Sequence, residues 1–262
     1  MSDRFAFGKN WERFLSTLGV DQIEDAKRAL VKLIGTDDLK GKSFLDIGSG
    51  SGLHSLAAFL LGAKVHSFDY DMDSVRCTQA LQSRYGNDEW TVEQGSALDR
   101  DYLAKLGEFD LVYSWGVLHH TGDMKTALEL AGGRVKTGGT LAIAIYNTQL
   151  TTPFWKIVKR CYVKSPNWLK VGGGGVWIGY FAVSLFFADL LRQRSPLARY
   201  KGARGMRFTT DVIDWIGGYP FETATPAEIF AFYRSRNFTL ENMTTVGWKM
   251  GCNEFVFRKE NQ

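Results

Sequence analysis

The sequence predicts an α/β fold built on a mostly parallel sheet, and three observations predict it. Between residues 42 and 146 short apolar runs alternate with longer mixed-polarity stretches, the pattern of successive strand–helix–strand units. The first run ends in a turn that places three glycines in five residues, Gly48-Ser49-Gly50-Ser51-Gly52. Near the end of the chain, Phe238–Val246 and Cys252–Arg258 read as strands that close the sheet as an antiparallel pair.

The elements follow in order. Residues 5–36 read as N-terminal helices. Lys42–Gly48 is a buried strand, and Ser51–Leu61 a helix with Leu53, Leu56, Ala57, Leu60 and Leu61 on one face. Ala63–Asp69 is the second strand, followed by a helix over Asp73–Tyr85 with Asp71 or Asp73 at its cap. Trp90–Gln94, Phe109–Trp115 and Thr140–Tyr146 are the next strands, the last preceded by a Gly138-Gly139 turn. Pro226–Arg236 is a further helix. The domain organisation read from this is N-terminal helices over 1–41, a core over 42–149, a helical insertion over 150–215 and the end of the core sheet over 216–262.

The glycine turn carries the sharpest functional signal. Glycines allow a tight turn and let a ligand approach backbone N–H groups. An acid, Asp46, precedes the first glycine by two residues, and Asp69 ends the second strand seventeen residues beyond Gly52. A carboxylate at that place can accept both ribose hydroxyls of an adenosine. Glycines, acid and strand ends fall in register, which a bare strand–helix turn with a capping Asp does not require.

DIGSGSG, FDYD, QGSALD, FDLVYSWGVLHH and TGGTLAIAIY, in that order over roughly residues 42–147, resemble the class I methyltransferases that use S-adenosylmethionine (SAM). The chain also looks similar to bacterial quinone-ring and small-molecule O-methyltransferases. The resemblance implies a Rossmann-like sheet, SAM as cofactor and S-adenosylhomocysteine as product. It implies that Asp46 and the backbone of Gly48, Ser49, Gly50 and Gly52 face the methionine part. Asp69 would hold the ribose, Tyr70 would lie near the adenine, Ser96 and Ala97 would line the adenine edge, and Trp115 would border the transferred methyl. Many members carry Asp where this chain has Ser96.

Transfer of a methyl from a sulfonium is an in-line displacement, so alignment and water exclusion dominate. A hydroxyl acceptor adds the need for a base. His119 and His120 follow the fourth strand, at the carboxyl end of the sheet where open α/β folds bind ligands. Adjacent side chains commonly diverge, so one of the two is expected to serve and the other to hold a loop. His54 and His66 fall inside helix and strand patterns and read as structural. No cluster has metal-ligand spacing, and no catalytic metal is expected.

At 262 residues, 45% hydrophobic and 14% aromatic, the chain can pack a core with an elaborated insertion. Cys77, Cys161 and Cys252 make no paired framework, and the first residues show no secretory pattern, so a cytoplasmic location is expected. Net charge is +4, yet residues 151–208 hold eleven Lys or Arg and one acid, a balance of +10 that leaves −6 elsewhere. Such asymmetry predicts a surface that meets something anionic. Phe154–Lys164 reads as a basic amphipathic helix with Phe154, Ile157, Val158, Cys161 and Tyr162 on its apolar face. Gly172–Gly175 is a break, and the apolar run Val176–Leu191 has 16 residues, short of the roughly 20 that cross a bilayer. Together they read as a cap. The cap fits a small or lipid-linked acceptor, with contact to an anionic membrane surface. RNA or tRNA suits its apolar run less well, and a homodimer contact is a third reading. A SAM-binding regulatory protein without catalysis is the non-enzymatic alternative.

Overall fold

The computed structural model describes residues 18–166, 175–177, 179, 183, 212, 215–249 and 251–261. The chain divides into two compact units, one of Ala6–Thr152 with Glu222–Gln262 and one of Met1–Phe5 with Pro153–Phe221.

The larger unit holds a seven-stranded sheet in the order β3-β2-β1-β4-β5-β7-β6. Its strands are β1 (Ser43–Ile47), β2 (Lys64–Asp69), β3 (Trp90–Gln94), β4 (Phe109–Trp115), β5 (Val135–Tyr146), β6 (Phe238–Thr244) and β7 (Cys252–Lys259). Strands β1 to β5 run parallel, and β7 joins β5 and β6 antiparallel. The order reverses between β1 and β4, so the crevice beyond their carboxyl ends is the place where an open α/β sheet binds its ligand. Aliphatic and aromatic side chains of β1, β4, β5 and β7, among them Leu45, Val112, Ile143 and Phe255, form one buried core. The mostly parallel sheet with its antiparallel end is the fold expected.

Helix α1 (Val20–Ile34) buries Ile23, Ala26 and Leu30 at the 3–4 spacing of one helical face and ends on Gly35 at φ 77°. The rest of the predicted N-terminal helices, residues 5–17, lies outside the described residues. Helix α2 (Leu53–Leu60) follows the glycine turn, and α3 (Met72–Tyr85) is capped by the Asp71 carboxylate, which accepts from the Asp73 amide. Two short helices escaped the reading by periodicity: α4 (Arg100–Leu106) and α5 (Met124–Gly133). Each starts at an aspartate, Asp99 or Asp123, whose side chain accepts a first-turn amide. The expected Gly138-Gly139 turn before the fifth strand is instead an irregularity inside β5. Pairing with β4 jumps from Phe109↔Val135 to Leu111↔Thr140, with the extra residues accommodated where Gly138 takes φ 72°. Pro226 opens the helix it was predicted to open, α7 (Pro226–Arg234), behind a Thr225/Glu228 capping box. Its neighbour in chain order, α6 (Thr152–Lys164), leads into the second unit.

The apolar face expected on α6 is corrected. Phe154 and Ile157 are exposed, and Trp155 and Lys159 are the buried pair. The Lys159 ammonium donates to the Trp215 carbonyl and lies 4.0 Å from the centroid of the Trp215 ring and 4.7 Å from that of Phe221. Hydrogen bonding and cation–π contact let the buried stripe carry a lysine, which a hydrophobicity pattern cannot show. Of the Gly172–Gly175 break and the Val176–Leu191 run, most lies outside the described residues, as do Arg204–Arg207. Among the described residues no helix is long and apolar enough to cross a membrane.

Candidate active site

Strand β1 delivers Asp46 and the glycine turn to the switch point. Gly48, Gly50 and Gly52 all have positive φ, at 81°, 56° and 77°. At Gly48 the requirement is double: a Cβ there would come 2.4 Å from the Val117 side chain, in a backbone conformation that L-residues rarely adopt. The turn is therefore a fixed backbone cradle pressed against the loop that follows β4. The Gly48 and Ser49 amides donate to the Phe68 carbonyl at 2.9 and 3.0 Å, which locks the turn to the end of β2.

Asp69, the last residue of β2, completes that lock. One carboxylate oxygen accepts from the Gly50 amide and the other from the Asp71 amide, both at 2.9 Å. A carboxylate has about four acceptor positions, and the Tyr70 amide also stabilises its charge. Tyr70 follows, half exposed. Asp46 sits lower in β1 and is buried at the end of a polar chain. Trp90 donates its indole N–H to Ser67, Ser67 donates to Ser55, and Ser55 donates to Asp46 at 2.5 Å. Burial pushes the Asp46 carboxyl up to about 7, with the Ser55 hydrogen bond pulling it down and the Asp69 charge adding to the rise. Burial likewise raises Asp69 to about 6, against the amide donors of Asp71 and Gly50. Among the described residues no cation pairs with either carboxyl, and two buried acids so placed suit a cofactor that brings positive charge and hydroxyl donors. Ser55, Ser67 and Thr78, which lies 2.9 Å from the Ser49 hydroxyl, were missed by sequence reasoning. Small polar residues on helix and strand faces carry no periodic signal.

The Ser96 hydroxyl accepts from the Leu98 amide at 3.2 Å, closing the turn that carries Ala97 toward α4. Trp115 ends β4 in register with Ala144, which pairs in turn with Glu254 of β7. Its indole N–H donates to the Glu254 carboxylate at 3.0 Å. Glu254 was not anticipated, because only the antiparallel register brings it level with Trp115.

His119 and His120 occupy a 3₁₀ turn, Leu118–His120. Divergence of the pair was expected, but their ring centroids are 4.4 Å apart, and both rings lie against Tyr146, at 4.2 and 5.4 Å. His119 is fully buried, and its Nδ1 accepts from the Tyr146 amide at 3.4 Å. His120 is part exposed. The same loop is clasped by Glu222, whose amide donates to the His119 carbonyl at 3.0 Å and whose carboxylate accepts from the Met124 amide at the start of α5. His54 stacks on Tyr113, and His66 pairs with Glu93 at 2.9 Å, both away from this cluster in sequence and in partners.

Known proteins resemble this chain in sequence and in fold. A family described as "Methyltransferase domain" matches residues 38–170. The ubiquinone biosynthesis O-methyltransferase of Methylobacterium sp. (strain 4-46) is 29% identical over 139 residues, 53% of this chain and 54% of that one. That of Brucella ovis is 30% identical over 142 residues, 51% and 52% of the two chains. The chain thus spans about half the length of the curated relatives it matches. Among solved structures, PKMT2 from Rickettsia typhi in complex with AdoHcy superposes with a TM-score of 0.61 at 12% identity, over 91% of this chain and 53% of that one. Magnesium protoporphyrin IX methyltransferase from Synechocystis PCC 6803 with bound SAH gives 0.55 at 17%, over 96% and 94%. With the family matched across half its length and its glycine turn and paired acids at the switch point of this sheet, the chain belongs to the class I, SAM-dependent methyltransferases.

Proposed function

We propose that this protein transfers the SAM methyl group to a hydroxyl of a small or lipid-linked molecule. The observation that carries the reading is the pairing of a SAM-type cradle with an imidazole, His120, beside Tyr146 at the same end of the sheet. Likeness to ubiquinone biosynthesis O-methyltransferases over half their length supports a hydroxyl acceptor.

In this reading the bound SAM supplies an electrophilic methyl on a cationic sulfonium. Asp69 and Tyr70 hold the adenosine, the Gly48–Gly52 backbone and Asp46 hold the methionine part, Ser96 and Ala97 edge the adenine, and Trp115 borders the methyl. His120 takes the proton of the acceptor hydroxyl at an imidazole nitrogen as the oxygen attacks. His119, buried and bonded to the Tyr146 amide, positions the turn. Residues 150–215 act as a cap that selects the acceptor, and their positive charge favours an anionic acceptor or an anionic surface that carries it.

The test is a screen with labelled SAM against hydroxylated aromatics, polyprenylated phenols and tRNA, with SAM and NAD compared by thermal shift. Labelling of a phenol and a SAM-dependent rise in melting temperature are expected. Labelling of tRNA alone would move the reading to RNA methylation. SAM binding without turnover on any acceptor would favour the regulatory alternative.

A further inference from the structure

Two loops at the carboxyl end of the sheet expose large apolar side chains side by side in the fold. Trp248, between β6 and β7, is 95% exposed, and Leu150, between β5 and α6, is 94% exposed. Neither value is that of a packed residue, and both exceed the exposure of every other large hydrophobic residue described. The loops are tied into one body. The Asn147 side-chain amide donates to the Gly247 carbonyl at 2.8 Å, and the Asn147 backbone amide donates to the Gly251 carbonyl at 3.0 Å. Gln149 donates to the Lys249 carbonyl. Asn253, fully buried, anchors the base by donating to the Asn147 side-chain oxygen at 3.0 Å and accepting from the Val246 amide at 3.0 Å. Hydrogen bonds thus hold both loop tips out, where solvation alone would favour folding such side chains down.

We infer that the paired tips carrying Leu150 and Trp248 dock on an anionic lipid surface, with Trp248 inserting at the headgroup level. An indole with an adjacent leucine is the side-chain chemistry that partitions into a bilayer interface. The charge pattern selects the anionic kind. Residues 147–151 and 245–251 hold Lys249 and no acid, and the segment that starts directly after Leu150 is cationic in sequence, with Lys156, Arg160 and Lys164 exposed among its described residues. The tips grow from Tyr146–Asn147 and Cys252–Asn253, the strand ends beside the His119–His120–Tyr146 cluster. Docking there turns the open end of the sheet toward the bilayer, which is what a lipid-linked acceptor needs. The inference rests on the lipid-linked reading of the acceptor for its purpose, while its test is independent of turnover.

The experiment is co-sedimentation of the full chain with vesicles of equal parts phosphatidylcholine and phosphatidylglycerol, and with phosphatidylcholine alone. Wild type is expected to bind the mixed vesicles more tightly than the neutral ones. Trp248→Ser combined with Leu150→Ser should weaken partitioning by about tenfold or more, and Lys249→Glu should weaken binding to the mixed vesicles alone. Both apolar side chains are nearly fully exposed, so the folded core is expected to survive, as SAM affinity measured by calorimetry would report. Tryptophan quenching by brominated lipid should fall in Trp248→Phe. Wild-type failure to bind the mixed vesicles, or a double variant that binds them as wild type does, would overturn the inference. So would loss of self-association in the double variant with vesicle binding unchanged, which would make the tip a contact between copies. A protein that sediments through Trp248 and Leu150 yet binds no SAM would instead sink the methyltransferase reading and leave the tip standing.

Discussion

The Gly50 amide donates to the Asp69 carboxylate at 2.9 Å, so the glycine turn after β1 and the acid that ends β2 are a single hydrogen-bonded unit. The residue proposed to hold the ribose thus also shapes the backbone proposed to face the methionine part.

That coupling changes what Asp69→Ala should do. SAM affinity should fall more than about tenfold, since hydrogen bonds to a charged acceptor contribute about 1.5–3 kcal/mol each. The ligand-free variant should also melt lower, because the Gly50 and Asp71 amides lose their acceptor at a cost of about 1–3 kcal/mol. The melt is best compared below the carboxyl's value of about 6, where wild-type Asp69 is already neutral. Calorimetry with SAM showing unchanged affinity would move the ribose elsewhere.

Asp46 and Asp69 give the protein opposed responses to pH with and without ligand. Both carboxyls hold their proton more tightly when folded, Asp46 up to about 7 and Asp69 to about 6 from an ordinary 3.8. Ligand-free stability therefore falls as pH rises from about 4 through 7. In the proposed reading SAM, cationic and hydroxyl-donating, binds the ionised pair, so its affinity should rise over the upper part of that window. Asp46→Asn should stabilise the ligand-free protein by about 1–3 kcal/mol at pH 8, lose that gain below about pH 4, under the ordinary value of 3.8, and weaken SAM binding. Urea unfolding at the two pH values measures it.

Gly48→Ala should lower both melting temperature and SAM affinity. The new methyl meets Val117 in space, and φ 81° strains any L-residue by about 1–2 kcal/mol. Adding Val117→Ala should recover only part of the contact cost, because the Val117 Cβ stays 2.9 Å from the new methyl, and should leave the strain. Full recovery in the double variant would show that φ is not constrained.

The two histidines should separate. His120→Ala should cut kcat by about 10²–10⁴, as loss of a general base does, with SAM affinity and melting temperature held. His119→Ala should lower the melting temperature, since a fully buried ring and the acceptor of the Tyr146 amide are removed at about 1–3 kcal/mol. Unchanged turnover in His120→Ala would remove it as base.

On α6 the exposed and buried cations should likewise part. Lys156→Ala with Arg160→Ala, both exposed, should raise the acceptor KM while SAM affinity stays constant. Activity should fall with added salt, which screens exposed charges over about 8–10 Å at physiological ionic strength. Lys159→Ala should instead destabilise the second unit, because its ammonium is held by the Trp215 carbonyl and ring. Normal acceptor kinetics in the Lys156/Arg160 variant would take the cap charges out of recognition.

The sequence by itself determined the succession of strands along the chain, the mostly parallel core with its antiparallel end and the place of the glycine turn. Those depend on local signals: apolar runs of strand length, positive-φ glycines and acids at strand ends. It also placed Asp46, Asp69, His119 and His120 at the correct end of the sheet, because strand polarity follows from the alternation itself. Tertiary structure decided what depends on register and on neighbours distant in the chain. Trp115 meets Glu254 only through the pairing of β4, β5 and β7, and Ser67 and Ser55 join Trp90 to Asp46 across two elements. The burial of Lys159 was hidden for the same reason: its partners, Trp215 and Phe221, lie more than fifty residues away. Hydrophobic periodicity records which face of an element is apolar, whereas a hydrogen bond or a cation–π contact depends on the partner that folding brings to it.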